Sequence, residues 1–300
     1  MSSFDPYGYH LDLRHKADDP RSPAGDDAFF ERLASDPRRT NPVSVIQAGL
    51  GTLQSRDPER LPFVARVVDW IEATVDDDGL LPYRFAMPHT FPLDPPWYSA
   101  LAQGEAVSLV VRAAGLLGRD RLFALADRLA EPLVDPASAL VVATPEGPVL
   151  QEYPTDPPSH VLNGWLFALW GLYDLSVAPR PGAHTSAGRA AEAFAEGSAA
   201  LAARIHEYRA GFGWSLYDLF PHPLPNVASP FYHRLHLVQL RRQQELSPDP
   251  RLAAIVTEWG AAADARLSCA VALARKVAFR AVRPRWRRIR PEKSPELRPV

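Results

Sequence analysis

The chain has 300 residues, of which 46% are hydrophobic, and its formal net charge is −2. This length can bury a substantial core, as one large domain or two modest ones. The single cysteine, Cys269, excludes an internal disulfide and a thiolate metal cluster, and its apolar neighbours indicate a buried structural thiol.

The first 40 residues are polar and rich in Asp, Pro and Gly, which predicts a strap over the body rather than a domain. They contain no apolar segment of the kind found in secretory signals, so we expect a cytoplasmic protein. The longest apolar stretch, residues 161–175, is shorter than the roughly 20 residues that span a bilayer. It is also interrupted by Asn163 and Asp174, so no transmembrane segment is predicted.

Helical spacing of apolar residues then predicts a succession of helices. Residues 140–153 differ, and predict two short strands around a Pro-Glu-Gly turn. Turn-rich connectors between paired helices favour an all-α fold, an (α/α) toroid or incomplete α/α barrel with short β-hairpins in its loops. This body is predicted over residues 41–279, with helices at 43–54, 62–75, 98–117, 121–134, 159–177, 187–208, 231–245 and 250–279.

Positive charge is concentrated at the C-terminal end. Residues 271–300 contain ten Arg and Lys against two acids, a local excess of +8. We interpret residues 280–300 as a solvated, proline-broken basic tail. Docking of this tail to an anionic glycan, to lipid phosphate or to nucleic acid is the alternative interpretation. We expect no nucleic-acid partner.

Tyrosines recur in three segments with acids and histidines nearby: QEYPTDPPSHVLNG (151–164), WSLYDL (214–219) and FYHRLHLVQL (231–240). Polar groups near buried helices, together with aromatic rings that stack on sugars, are typical of a carbohydrate site. Each ring can equally be a core residue whose polar tip is satisfied. His233 and His236 share a helix face, but no third ligand is evident, so we predict no metal site. No nucleotide-binding or zincin motif is present, and we expect no cofactor.

Four segments, in this order, resemble the C-terminal domain of the D-glucuronyl C5-epimerases, which convert glucuronate to iduronate in heparan-type chains. They are SALAQGEAVSLVVRA, EYPTDPPSHVLNGWLFALWGLYDL, LYDL (216–219) and YHRLHLVQL (232–240). The resemblance covers residues 41–259 and is densest at 97–175. It implies a toroid whose cleft binds a uronate-containing polysaccharide, and a homodimer is compatible with it.

The resemblance also implies which residues act. Its catalytic positions are occupied here by Glu152 and Tyr153 of the EYP motif, Tyr217 of LYDL and Tyr232 of YHRLH. We expect substrate binding by the polar residues near these motifs: Arg84, Gln103, Glu105, His160, Asn163, His233 and His236.

The chain departs from the family at one place. Animal members are expected to have an arginine directly after Tyr-Asp-Leu, where this chain has Phe220. The positive charge of that arginine must come from another residue, or epimerisation is impaired. The candidates are Arg84, Arg234, His160, His222, His233 and His236.

Removal of the C5 proton of a uronate creates a second negative charge beside the carboxylate. Epimerisation therefore needs a base on one face of the sugar ring, an acid on the other and a group that stabilises the enediolate. Tyrosine, with a reference pKa near 10, is about one part in a thousand ionised at pH 7. Either a cation assists it, or Glu152 is the base. We expect Glu152 and Tyr153 to serve one face and Tyr217 or Tyr232 the other.

Three other functions fit the same residues. A uronate lyase shares the first proton abstraction and then expels the group at C4. A glycosidase needs two carboxyls about 5–10 Å apart, for which Glu105, Glu152, Asp156 and Asp218 are candidates. A non-catalytic glycan-binding or assembly protein would keep the cleft without turnover.

Overall fold

A computed structural model describes residues 4–17, 25–86, 90–91, 93–182 and 185–284 of the chain. Its elements are mainly helical, in the order α1 (Arg14–Ala17), α2 (Gly25–Ser35), α3 (Pro42–Gln54), α4 (Leu61–Thr74), α5 (Ala100–Leu117), α6 (Arg121–Val134), β1 (Val141–Thr144), β2 (Gly147–Leu150), α7 (Leu162–Val177), α8 (Thr185–Arg204), α9 (Pro230–Leu246), α10 (Pro250–Ala263) and α11 (Arg266–Val282). Short 3-10 turns span Pro37–Arg39, Pro58–Arg60 and Ile205–Tyr208.

The predicted mainly helical fold with a short hairpin is confirmed. Strands β1 and β2 pair antiparallel, with Val141 opposite Leu150. The helix predicted at 250–279 is instead two helices, because Ala265 adopts an extended conformation (φ −73°, ψ 116°) between α10 and α11. The boundary predicted at residue 279 falls inside α11, whose hydrogen bonds continue to Arg283 N–H donating to Phe279 O at 2.7 Å.

The helices pack in two layers. Consecutive helices form the pairs α3/α4, α5/α6, α7/α8 and α9/α10. The first members of these pairs also pack on one another, α3 on α5, α5 on α7 and α7 on α9, so they form a continuous inner layer. This order agrees with an incomplete α/α barrel, while closure into a toroid stays a prediction.

The contact between α5 and α7 is the most extensive helix contact. This close packing requires glycine at position 104, because a β-carbon there would lie only 2.5 Å from Ala168 Cα. Among the described residues, α5 is the one helix long and apolar enough to cross a membrane. It is 83% buried inside the protein, which is typical of a core helix. Helix α7 is buried on nearly every side, as its apolar sequence predicts.

A buried carboxylate joins these helices. Asp174 of α7 is 1% exposed and is paired by both oxygens with the guanidinium of Arg112 of α5, at 2.6 and 3.0 Å. It also accepts hydrogen bonds from Ser108 Oγ (2.6 Å) and His10 Nε2 (3.0 Å). Burial alone would raise the pKa of Asp174, but Arg112 and His10 lower it well below its ordinary value.

The same cluster fixes residues 4–17, which we call the N-terminal strap. His10 Nδ1 accepts a hydrogen bond from Arg242 Nε of α9 at 3.0 Å, and Arg112 Nε donates to Gly8 O. On α3, Gln54 exchanges two hydrogen bonds with the strap, from Leu13 N (2.7 Å) and to Leu11 O (2.9 Å). The Asp174 cluster and Gln54 thus attach the strap to the inner layer.

Replacement of Asp174 by Asn should leave the Arg112 guanidinium buried without its countercharge. We expect the free energy of unfolding, measured with urea at pH 7, to fall by about 3–5 kcal/mol. The matched control is Glu131→Gln, which breaks an ion pair with Arg189 whose side chains are 52% and 49% exposed. That change should cost less than about 1 kcal/mol. Equal losses in the two variants would contradict the central role of Asp174.

Candidate functional site

A cavity of about 630 Å³ opens where the strap, α3, α9 and the loop after β2 meet. Its volume lies in the range of small-ligand sites, about 300–1,000 Å³. Its lining combines aromatic and charged side chains. They include Asp12, His15, Lys16, Gln47, Tyr83, Trp97, Glu152, Tyr153, Asn163, Phe231, Tyr232 and Arg234.

Glu152 is positioned by the start of α7. Its Oε2 accepts a hydrogen bond from Asn163 Nδ2 at 3.0 Å, and the Gly164 backbone N–H also donates to it. A β-carbon at position 164 would collide with the Glu152 side chain, so glycine is needed there. The carboxylate therefore lies directly against the helix N-terminus, where N–H groups are free to donate.

Burial raises the pKa of Glu152 to about 7, and hydrogen bonds from Tyr153 and Asn163 oppose that rise. A carboxyl with this pKa is partly ionised at neutral pH and accepts a proton far more readily than an ordinary glutamate does. General bases work best with a pKa near the working pH.

A second buried carboxyl lies behind the cavity wall. Glu105 of α5 is fully buried, and its Oε1 accepts a hydrogen bond from Gln47 Nε2 at 3.0 Å. Burial raises the pKa of Glu105 to about 8, and the charge of Glu152 contributes to the increase. Its Oε2 has no hydrogen-bond partner among the described residues. Gln47 lines the cavity and separates it from Glu105.

The tyrosines predicted to be catalytic come together around Glu152. The Tyr153 hydroxyl is hydrogen-bonded to the Glu152 carboxyl, and the rings of Tyr217 and Tyr232 meet edge to face at 4.8 Å. Burial first, and then the charge of Glu152, raise the pKa values of Tyr153 and Tyr217 well above 10. At neutral pH these two phenols therefore keep their protons.

An aromatic wall adjoins the four residues. Tyr83 stacks on Trp97 with ring centroids 3.8 Å apart, and Trp97 lies 5.8 Å from the ring of Tyr153. Backbone hydrogen bonds between Tyr83 and Trp97 hold the two rings in register. Flat aromatic surfaces beside polar groups suit the faces of a sugar ring.

Of the seven residues predicted to bind substrate, Asn163 lines the cavity. Gln103 does not line the cavity, because its side chain is fully buried and forms its hydrogen bonds with backbone groups. It accepts from Leu81 N at 2.8 Å and donates to Gly79 O (2.8 Å) and Leu129 O (2.9 Å). It therefore fixes loops. Glu105 lies one layer behind the cavity, and Arg84 is exposed outside its lining.

The predicted histidines also lie elsewhere. His233 stacks on Trp214 at 3.8 Å, and His236 is hydrogen-bonded to Ser215 Oγ at 2.9 Å. Burial lowers the pKa of His233 to about 4 and that of His236 to about 3, so both are neutral at pH 7. His160 is bonded to Gln151 Nε2 at 3.0 Å, and burial lowers its pKa to about 4.

Among the described residues, no group of three or more His, Cys, Asp and Glu side chains could hold a metal ion. His222 packs beside Asp218 at 3.3 Å and does not line the cavity. Of the residues considered as replacements for the arginine, Arg234 is the one that lines it.

The sequence patterns missed Lys16 of the strap, Gln47 of α3 and Tyr83, all of which line the cavity. Lys276 of α11 was also missed. Its Nζ donates to Asn226 Oδ1 at 2.6 Å and lies 5.5 Å from the centroid of the Tyr217 ring. Nothing in the sequence around Gln47 and Lys16 indicates that these residues line the same cavity as Glu152, because the cavity joins distant parts of the chain.

The two buried carboxyls should respond separately to loss of their amide partners. Asn163→Ala removes a hydrogen bond that favours ionised Glu152, so the pKa of Glu152 should rise above about 7. Gln47→Ala should do the same to Glu105, whose pKa is about 8. Carbon-13 NMR titration of the glutamate carboxyls measures both. If either variant shifts both carboxyls equally, the assigned hydrogen bonds are wrong.

Comparison with known proteins agrees with the resemblance. The family profile described as D-glucuronyl C5-epimerase C-terminus matches residues 76–261. A D-glucuronyl C5-epimerase of Caenorhabditis elegans is 30% identical over 220 residues, which cover 69% of this chain and 35% of the relative. The chain thus corresponds to about a third of that relative. Since the profile match covers more than half of the chain, the protein belongs to the D-glucuronyl C5-epimerase C-terminal family.

Proposed function

We propose that this protein epimerises D-glucuronate residues of a polysaccharide of the heparosan class at C5, within the 630 Å³ cavity. The observation that carries the proposal is the contact between Glu152, whose pKa is raised to about 7, and the protonated phenol of Tyr153. Tyr217 and Tyr232 complete this cluster from separate segments. The family match supports the reaction class.

The acid and base roles follow from the directions of the pKa changes. Glu152, ionised in about half of the molecules near pH 7, takes the C5 proton. The electron pair of the broken C–H bond moves into the uronate carboxylate as an enediolate. A phenol, that of Tyr217 or Tyr232, then donates a proton to the opposite face of C5. The resulting tyrosinate and protonated Glu152 return to their resting states by proton exchange with water.

The enediolate needs a positive charge nearby, and Lys16 is our candidate for it. Lys16 lines the cavity, and its charge lowers the pKa of Glu105. Within the described ranges, no side chain forms an ion pair or hydrogen bond with it. Arg234 also lines the cavity, but it is 58% exposed and lies 4.0 Å from Asp264. The Lys16 charge is therefore the less compensated of the two.

Solvent exchange tests the reaction. With a glucuronate polymer in heavy water, NMR should show loss of the H5 signal and appearance of iduronate. Glu152→Gln should slow the exchange by about 10²-fold or more, and so should whichever of Tyr217→Phe and Tyr232→Phe removes the proton donor. The control is Tyr208→Phe, which loses a buried hydroxyl bonded to His160 O at 2.8 Å and should retain exchange.

The other functions give different outcomes. Ultraviolet absorbance from an unsaturated uronate would identify a lyase. Binding of the polymer without deuterium uptake would identify a glycan-binding protein and refute epimerisation.

The rate of exchange should increase as the pH is raised. Because Glu152 must be ionised to accept a proton and its pKa is about 7, the rate should rise through pH 7 and decline tenfold per unit at lower pH. A profile that is flat between pH 5 and 8, by the same NMR assay, would exclude Glu152 as the base.

Lys16→Gln should weaken binding of the glucuronate polymer by about tenfold or more, since a charge-assisted contact is lost. The same substitution should not change binding of a polymer whose carboxyls have been reduced to alcohols. Calorimetry measures the affinity for each polymer. Arg39→Gln, at a residue whose side chain is 83% exposed, is the control for loss of one charge. If Lys16→Gln weakens binding of both polymers alike, Lys16 does not bind the carboxylate.

A further inference from the structure

Helix α11 presents an apolar face to solvent. Leu267, Leu273 and Val277 are 77%, 57% and 63% exposed, well above the level of the core. Four exposed alanines at helical spacing fill the gaps between them, at positions 270, 274, 278 and 281. All seven side chains lie on one side of the helix, so the face is continuous over its length.

The opposite side of α11 attaches it to the body. Ala272 and Phe279 are buried, and Lys276 Nζ is bonded to Asn226. Arg275 Nη1 donates to Ala210 O at 3.1 Å, and Arg280 Nη1 donates to Thr90 Oγ1 at 2.9 Å. These contacts fix the rotation of the helix, so the apolar face is held outward.

The charge of this region has one sign. Helix α11 contains four Arg and Lys and no acid. The sequence that follows it, residues 283–300, adds seven bases and two acids, together with Trp286 and Ile289. From Arg266 to Val300 the excess is therefore +9 (eleven bases, two acids).

We propose that α11 lies on the surface of a phospholipid bilayer that carries anionic headgroups. An apolar helix face provides one attachment, and a polybasic segment provides the second that stable interfacial binding requires. A second copy of the chain is a poorer occupant, because a symmetric contact between two α11 helices would bring together eight bases and no acid.

This proposal is independent of the epimerase reaction, and it gives the membrane a role that needs no spanning segment. The apolar side chains of α11 enter the boundary between headgroups and acyl chains, and the positive charge that the sequence carries from Arg266 onward is attracted to the anionic phosphates. The enzyme would then act on polysaccharide close to a lipid surface.

Vesicle flotation with the full chain tests the proposal. The protein should float with vesicles of phosphatidylcholine and phosphatidylglycerol and not with phosphatidylcholine alone. The double change Leu273→Ser and Val277→Ser keeps every charge and should lower partitioning at least tenfold. Its matched control, Val177→Ser and Leu224→Ser, removes two apolar side chains that are 41% and 38% exposed on other segments and should float like the wild type.

Several results would overturn the proposal. Equal flotation with both lipid mixtures would remove the role of charge. Unchanged flotation of the Leu273/Val277 variant would show binding by charge alone, as to any polyanion. A dimer in sedimentation that this variant dissociates, without flotation of the wild type, would assign the face to a second copy.

Discussion

The carboxylate of Asp174, buried against Arg112, is the interaction on which the site depends. It joins α5 to α7, and through His10 it also fixes the strap and reaches Arg242 of α9. A buried charge that loses its partner costs several kcal/mol, so separating α5, α7, α9 and the strap is strongly unfavourable. The same elements carry the cavity: the strap brings Lys16, α9 brings Tyr232, and the start of α7 holds Glu152. One ion pair, outside the lining of the cavity, therefore maintains the spacing of its walls.

Burial then divides the proton chemistry among side chains that are all acids in water. It raises the pKa of Glu152 only to about 7, because hydrogen bonds from Asn163 and the Gly164 N–H stabilise the charged form. Burial, and then the charge of Glu152, raise the pKa values of the Tyr153 and Tyr217 phenols well above 10. In the proposed mechanism Glu152 is therefore the base and a phenol the acid, and no tyrosine has to be ionised at rest. Glu105, whose pKa is raised to about 8, is mostly protonated at neutral pH. It therefore adds little negative charge beside Glu152.

Much of this could be predicted from the sequence. Helical periodicity predicts the helices, and the EYP, LYDL and YHRLH motifs identify four residues that the fold brings together. Where a residue predicted to bind substrate lies outside the cavity lining, the cause is physical. Periodicity cannot tell a polar side chain that faces a cavity from one saturated by backbone, as Gln103 is. It also cannot show that His233 turns towards Trp214. The strap has no pattern that locates Lys16, because its position is fixed by hydrogen bonds to Gln54 and Asp174, distant in sequence.

The central claim is that Glu152 and a tyrosine face opposite sides of one uronate ring. A crystal structure of the Glu152→Gln variant with a glucuronate oligosaccharide tests it most directly, since this variant holds the substrate without consuming it. We predict that C5 lies between the side chain at position 152 and the hydroxyl of Tyr217 or Tyr232, with the sugar carboxylate towards Lys16. An oligosaccharide bound outside the cavity, or a ring whose C5 faces neither group, would contradict it.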